Sequence, residues 1–185
     1  MGLRAHITGA SGAGTSTLAR ALADRLASQA FDTDDFYWVP SDPPFRQKRP
    51  PSERVALMEQ VFLPRADWIL SGSLTSWGRP VMPRVTHVVF LTLPRATRLA
   101  RLRARERRRY GARIARGGDL EAAYRGFLDW AMAYDDPGFA GRSRSNHEAW
   151  LSTLSQPVIR LDATARPEAL AEAALDALNA SAPAA

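Results

Sequence analysis

Gly9-Ala10-Ser11-Gly12-Ala13-Gly14-Thr15-Ser16-Thr17 is the stretch that decides the fold. It stands between a short apolar run, Leu3 to Thr8, and a segment from Ser16 to Ser28 in which Leu18, Ala19, Leu22, Ala23 and Leu26 recur with helical period. The glycines keep the spacing G-x-x-x-x-G-K-[ST] of a phosphate-binding loop, in the strand-to-helix setting that such a loop requires. Its chemistry lies in the backbone. Glycines let the chain wrap so that successive N–H groups face one anion, and the helix that follows adds the positive end of its dipole. On this reading Gly9, Ser11, Gly12, Ala13, Gly14, Thr15, Ser16 and Thr17 hold phosphate, and Ser16 takes the hydroxyl position that binds Mg2+ on the β- and γ-phosphates of ATP. Thr15 stands where the pattern has lysine, so a hydroxyl replaces a point charge. A glycine-rich turn without a ligand is the competing reading, and the Ser16-Thr17 pair speaks against it.

Working outward, a second short strand over Ala30 to Thr33 runs into three acids, Asp32, Asp34 and Asp35. Ligands of parallel α/β sheets bind at the carboxyl ends of the strands. Alternation along an extended segment predicts Asp32 and Asp34 on one side. One of the two then orients a Mg2+-bound water, and the other accepts the proton of an acceptor hydroxyl. An acidic turn that merely caps the strand or pairs with arginines is the plainer alternative. Prolines 40, 43, 44, 50 and 51 predict a loop, and Ser52 to Leu63 a helix with Ser52 as N-cap. Further strands are expected at Trp68 to Leu70, His87 to Leu93 and Val158 to Leu161. Helices are expected from about Ala96, over Asp119 to Tyr134, Ser145 to Leu154 and Glu168 to Leu178. Strands that alternate with helices give an α/β chain with about five short parallel strands. Residues beyond Ser181 are expected to fray.

A length of 185 residues suits one domain. With no cysteine, disulfides, thiolate catalysis and Cys-ligated zinc are excluded, and three scattered histidines argue against a histidine metal site. No stretch approaches the ~18 apolar residues of a membrane span, and the cytoplasm is the expected compartment. The net charge of +6 comes from 25 cations against 19 acids, and Lys48 is the single lysine. Arg95 to Arg116 holds ten arginines and one acid, Glu106; that segment alone is +9, which leaves the rest of the chain at −3. Arg98, Arg101, Arg105 and Arg109 recur at helical spacing and are expected to share a face, where like charges repel unless an anion or acidic surface relieves them. A solvated helix and a nucleic-acid-binding stripe compete as readings; the run offers only Tyr110 as an interleaved aromatic.

Four stretches carry a resemblance: Ile7-Thr8-Gly9-Ala10-Ser11-Gly12, Asp32-Thr33-Asp34-Asp35-Phe36-Tyr37-Trp38, Leu70-Ser71-Gly72-Ser73 and His147-Glu148-Ala149-Trp150-Leu151. The chain resembles the adenylate kinase and shikimate kinase group of small P-loop kinases, and within it a bacterial set of AAA-family ATPases, adenylate kinase-like proteins and topology modulation proteins. The resemblance implies a P-loop NTPase three-layer sandwich with parallel strand order 2-3-1-4-5. It implies an acceptor-binding insertion over 33–66 and a lid over 107–142 within a single domain, 1–185. It also implies that Arg105, Arg109 and Arg113 clamp phosphates, and that the segment after the last strand, with Asp162, contacts the adenine. Asp34 matches the acceptor-side acid of both shikimate kinases and uridine kinases. No acid follows the third strand, where Ser71 and Ser73 stand, so metal placement is expected to rest on Ser16, water and Asp32. His147 to Leu151 reads most simply as a helix that packs Trp150 on the core. The implied activity is transfer of the γ-phosphoryl of ATP to a small-molecule acceptor, a nucleoside or nucleotide among the candidates. A regulatory nucleotide-binding ATPase with little transfer, and an arginine-helix nucleic-acid-binding protein, are the alternatives.

Overall fold

A computed structural model describes residues 2–181. The chain runs β1 (Arg4–Gly9), α1 (Thr15–Arg25), β2 (Ala30–Asp32), α2 (Thr33–Tyr37), β3 (Trp38–Val39), β4 (Gln47–Lys48), α3 (Pro51–Val61), β5 (Trp68–Ser71), β6 (His87–Thr92), α4 (Arg95–Tyr110), α5 (Glu121–Met132), α6 (Arg144–Leu151), β7 (Val158–Asp162) and α7 (Pro167–Ala180). The main sheet has five strands in the order β2-β5-β1-β6-β7, all parallel. Counted along the main sheet alone, this is the expected order 2-3-1-4-5.

Every residue of β5 is buried, as are the first five of β6. Helices cover both faces of the sheet, which is why these strands read as continuous apolar runs. One face carries Ile7, Ile69, Val89 and Leu91 against Leu18 and Leu22 of α1 and Leu170 and Ala174 of α7. The other carries Trp68, Leu70, Val88 and Phe90 against Met58 and Phe62 of α3 and its end, and Leu151 of α6. Strand alternation puts His6 and Thr8 on the opposite side of β1 from Ile7.

Three local expectations change. The proline segment is not plain loop: β3 and β4 pair antiparallel, with Trp38 opposite Lys48. Ser52 is not a cap, because α3 begins one residue earlier at Pro51, whose fixed φ suits the first helical position. Asp32 does not lead into an extended run. Its Oδ1 accepts from the Asp34 amide at 3.0 Å and caps α2. Residues 182–185, the end of the expected frayed tail, lie outside the described residues. Among the described residues no helix is long and apolar enough to cross a membrane.

Candidate functional site

The loop between β1 and α1 is held by close approaches that only glycine permits. A Cβ on Gly9 would lie 2.6 Å from the Leu91 carbonyl oxygen of β6. One on Gly12 would lie 2.8 Å from the Arg98 carbonyl oxygen of α4, and Gly12 (φ 83°) is in the left-handed region besides. Gly14 (φ 100°) is the N-cap of α1, whose first turn holds no acid and whose cap makes no side-chain bond. The first helical bond of α1 is Leu18 N–H to the Gly14 carbonyl at 2.9 Å. The amides before it have no partner within the helix and gather at its positive end.

Below the loop, three hydroxyl and carboxylate groups meet. Ser16 Oγ donates to Asp32 Oδ2 at 2.6 Å, and Ser71 Oγ donates to the same oxygen at 2.9 Å. The two serine hydroxyls are 3.4 Å apart. Ser71 ends β5, the strand between β1 and β2, so the sheet order itself brings residues 16, 32 and 71 together. The set is all oxygen with one carboxylate. It fits Mg2+, which keeps most of its waters and takes one or two carboxylates together with substrate phosphates. Among the described residues no three or more His, Asp or Glu side chains cluster as a closed metal cage.

Because Asp32 caps α2, the two acids part company. Asp32 turns to Ser16 and Ser71, and Asp34 sits in the first turn of α2. The expectation that alternation would align them fails for that reason. Asp34 is reached by solvent, yet its carboxyl is crowded by surrounding protein. Its carboxyl is held above the ordinary range, first by that crowding and then by the charge of Asp32, with Arg142 acting against both. Asp35 is raised for the same two reasons. An acid with a raised pKa retains more of its proton-accepting strength when ionised.

The three arginines singled out from the sequence are engaged elsewhere. Arg105 Nε donates to Glu106 at 2.8 Å, and its guanidinium lies 5.8 Å from the Phe127 ring. Arg109 lies 5.9 Å from the Phe45 ring. Arg113 pairs with Asp119 at 2.7 Å and with Asp42 at 3.5 Å. Nor do the four spaced arginines of α4, which holds eight in all, share one role. Arg98 is fully buried and bonds to Asp135 and to the Leu93 and Ala131 carbonyls. Asp135 also pairs with Arg95 and with Arg144 of α6, and Asp136 with Arg95, so the two acids offset part of the charge at the start of α4.

Two other arginines reach the loop. Arg101 Nη1 comes within 3.7 Å of the position a Gly14 Cβ would take, while its Nη2 donates to the Ala163 carbonyl at 3.3 Å. Arg142 Nη2 donates to Ser11 Oγ. Arg101 was visible only as one member of the run. Arg142, between Gly141 and Ser143, had no sequence signal. Asp162 ends β7, and its Oδ1 accepts from the Thr164 amide at 2.9 Å, so its carboxylate shapes the turn beside Ala163.

On the far side of the cleft, Gly72 (φ 114°) follows Ser71, and a Cβ there would overlap Thr33 Oγ1 at 1.8 Å. Thr33 Oγ1 accepts from the Ser73 amide at 3.1 Å, which fixes α2 against the end of β5. Arg54 is buried in the first turn of α3. Its Nε donates to the Arg49 carbonyl at 2.6 Å, and its guanidinium lies 3.7 Å from the Tyr37 ring centroid and 5.2 Å from that of Trp77. No carboxylate lies within 4.0 Å of it among the described residues.

Comparison with known proteins agrees with this fold. A shikimate kinase from Bacteroides thetaiotaomicron superposes with a TM-score of 0.59 at 18% identity, over 96% of this chain and 98% of that one. A gluconokinase from Sinorhizobium meliloti 1021 gives 0.53 at 16% identity, over 96% and 92%. At these identities the likeness is one of fold: a five-stranded parallel α/β sheet of the small P-loop kinase type. A Bacillus subtilis (strain 168) protein described as "Uncharacterized protein YqaC" is 43% identical over 157 residues, 85% of this chain and 86% of its own length. The family described as AAA domain matches residues 6–124, from β1 through the phosphate loop and α4 into α5. With that match spanning well over half its length, the chain belongs to the AAA-domain family of P-loop proteins.

Proposed function

We propose that the chain is an ATP-dependent phosphotransferase that moves the γ-phosphoryl group of ATP to a hydroxyl of a small acceptor. The observation that carries this reading is the pairing of a glycine-built loop with the Ser16–Asp32–Ser71 oxygen cluster, with Asp34 two residues beyond Asp32 and in electrostatic reach of it. Loop amides from Gly9 to Thr17 cradle the phosphates. Ser16 and Asp32 would hold Mg2+, which would supply charge screening to the phosphates. Asp34 takes the acceptor's proton as its oxygen approaches phosphorus. Arg101 and the turn at Asp162 and Ala163 flank the nucleoside end. Residues 33–66 form the acceptor side. Residues 107–142 act as a lid, in which Arg109 and Arg113 already touch Phe45 and Asp42 across the cleft. The proposal places this chemistry in the cytoplasm.

Arg54 narrows the acceptor. A buried guanidinium stacked on Tyr37 with no carboxylate is a site for an anion, so the acceptor carries a carboxylate or phosphate beside its reactive hydroxyl. A nucleotide fits this chemistry better than a nucleoside. Thr15 favours a second reading, a nucleotide-binding ATPase with slow transfer, because the loop lacks its usual cation.

The test has two steps. Thermal shift with ATP and ADP, with and without Mg2+, should give stabilisation by ATP that needs Mg2+. ADP release over a panel of acceptors should then rise with one class, and Asp34→Asn should abolish that rise while nucleotide affinity stays within about threefold. Release that no acceptor raises selects the ATPase reading. Stabilisation by short RNA with a steep salt dependence, and none by ATP, rejects both.

A further inference from the structure

We propose that Arg142 supplies the cation that the phosphate loop lacks at Thr15. This rests on the phosphotransferase reading and assigns it a group that the loop's own sequence does not contain.

Arg142 is separated from the loop by most of the chain, yet its Nη2 donates to Ser11 Oγ inside the loop. The segment before α6 places it there. Ser143 is fully buried and caps α6 through the Asn146 amide at 3.2 Å, and Asn146 Nδ2 donates to the Gly141 carbonyl at 2.7 Å. Residues 141 and 143 are thus fixed on either side of Arg142. The guanidinium lies 4.9 Å from the Trp130 ring of α5. Its Nε is buried with no hydrogen-bond partner among the described residues, and no carboxylate lies within ion-pair distance. Asp34 and Asp32 both act on it electrostatically, so it lies on the acid side of the cleft.

Charge placement elsewhere in the molecule makes this arrangement informative. The other deeply set arginine of the lid half, Arg98, is saturated by one carboxylate and two carbonyls. Arg105 and Arg113 have carboxylates, and Arg101 is tied to the Ala163 carbonyl on the nucleoside side. Arg142 alone joins the loop to the acid side while leaving donors unspent. In the transfer, the acceptor oxygen forms its bond to phosphorus and gives its proton to Asp34. The bond from phosphorus to the β,γ-bridging oxygen breaks, and the electron pair stays on ADP. Negative charge therefore grows on the bridging oxygen and spreads over the γ-oxygens. A planar guanidinium held at Ser11 can donate to those oxygens with two hydrogens at once, whereas a loop lysine would supply one compact charge.

The test is a charge swap in the full-length chain. Isothermal titration with Mg2+-ATP and Mg2+-ADP is run on wild type, Arg142→Ala, Arg142→Lys, Thr15→Lys and the double variant Thr15→Lys/Arg142→Ala, with thermal melts as a check on folding. Arg142→Ala should weaken ATP by about 30-fold and ADP by less, the loss typical of a charged hydrogen-bond donor. Arg142→Lys should fall between, and it serves as the readout if the alanine variant melts early. Thr15→Lys in the Arg142→Ala background should restore ATP affinity to within about threefold of wild type, and Thr15→Lys alone closes the double-mutant cycle. Wild-type affinity in both Arg142 variants, or a double variant no tighter than Arg142→Ala, overturns the assignment and leaves the phosphotransferase reading standing. Failure of wild type itself to bind ATP overturns both.

Discussion

Acidification is the perturbation whose effect follows most directly from the packing. His6 and His147 are both fully buried on the side of the sheet covered by α6. His6 Nδ1 bonds the Leu70 carbonyl at 3.1 Å, which fixes the hydrogen on Nδ1 and leaves Nε2 a bare acceptor. His147 Nδ1 bonds the Tyr134 hydroxyl at 2.8 Å. Both Nε2 atoms are buried without a protein partner, so neither ring has a group to receive a second proton. Burial lowers His6 to about 4, with the Leu70 bond opposing, and burial, Arg142 and His6 lower His147 to about 3. The unfolded chain takes up these protons near the ordinary histidine pKa of about 6.5, so below that pH it binds more protons than the folded chain. The stabilising contribution is complete above about pH 6.5 and is lost as pH falls toward the folded values. At pH 5 each histidine lies about 1.5 pH units into that window, worth roughly 2 kcal/mol each at about 1.36 kcal/mol per unit. Asp34 and Asp35, with raised pKa values, act in the opposite sense and make the net loss between pH 7 and 5 smaller than the sum of the two histidine contributions. Urea unfolding followed by tryptophan fluorescence at half-unit pH steps measures it, and NMR of the imidazole ring protons identifies the groups. A free energy of unfolding that varies by less than about 1 kcal/mol over that range, or folded-state His6 and His147 signals that titrate between pH 6 and 7, would refute the reasoning.

Two other perturbations test separate parts of the molecule. Asp135→Ala removes the one carboxylate of the fully buried Arg98 and should cost about 3 kcal/mol, less than for a sealed pair because Asp135 is partly open to water. Calorimetry should show a melting temperature lower by about 10 °C. Arg54→Met keeps the stack on Tyr37 but removes the charge. Transfer to carboxylate- or phosphate-bearing acceptors should fall by about 10-fold or more through KM, with neutral acceptors unaffected; an equal effect on both classes contradicts an anion site at Arg54.

The sheet was readable because its signals are local. The glycine spacing from Gly9 to Gly14 and the run Val88-Val89-Phe90-Leu91 each lie within a few residues, and both elements stand where periodicity puts them. Helix and strand ends drifted by up to three residues, as at Arg25 against the expected Ser28 and Leu151 against the expected Leu154. Pro51 started α3 ahead of Ser52, and Asp32 chose to cap α2 rather than extend β2. The candidate site was readable in proportion to the same locality. Ser16 and Asp32 could be named from their positions after β1 and β2, but their joint contact with Ser71 follows from β5 lying between those strands. Arg142 and Arg54 were not readable at all. Each is marked by what it lacks, a carboxylate partner, and an absent contact leaves no periodicity in a sequence.

The arginine surplus takes a different meaning once its partners are known. A nucleic-acid-binding stripe needs cations repeated along one open face. Helix α4 divides its spaced arginines: Arg98 points into the core, Arg101 toward Gly14 and Ala163, and Arg105 onto Glu106 and Phe127, while Arg109 stays exposed together with Arg103, Arg107 and Arg108. Part of the charge is met by carboxylates from other elements, with Asp135 alone serving Arg95, Arg98 and Arg144. Arg54, Arg101 and Arg142 make no ion pair among the described residues, as is true of many exposed arginines of the chain, but their contacts set them apart. Arg142 donates to Ser11, Arg101 stands against Gly14, and Arg54 is buried on the Tyr37 ring. An anion bound across the proposed site would meet these cations. A nucleoside triphosphate with a carboxylate or phosphate on the acceptor places negative charge at both ends of it, and the missing lysine at Thr15 then reflects a cation supplied from the lid half of the chain rather than a loop that has lost its ligand.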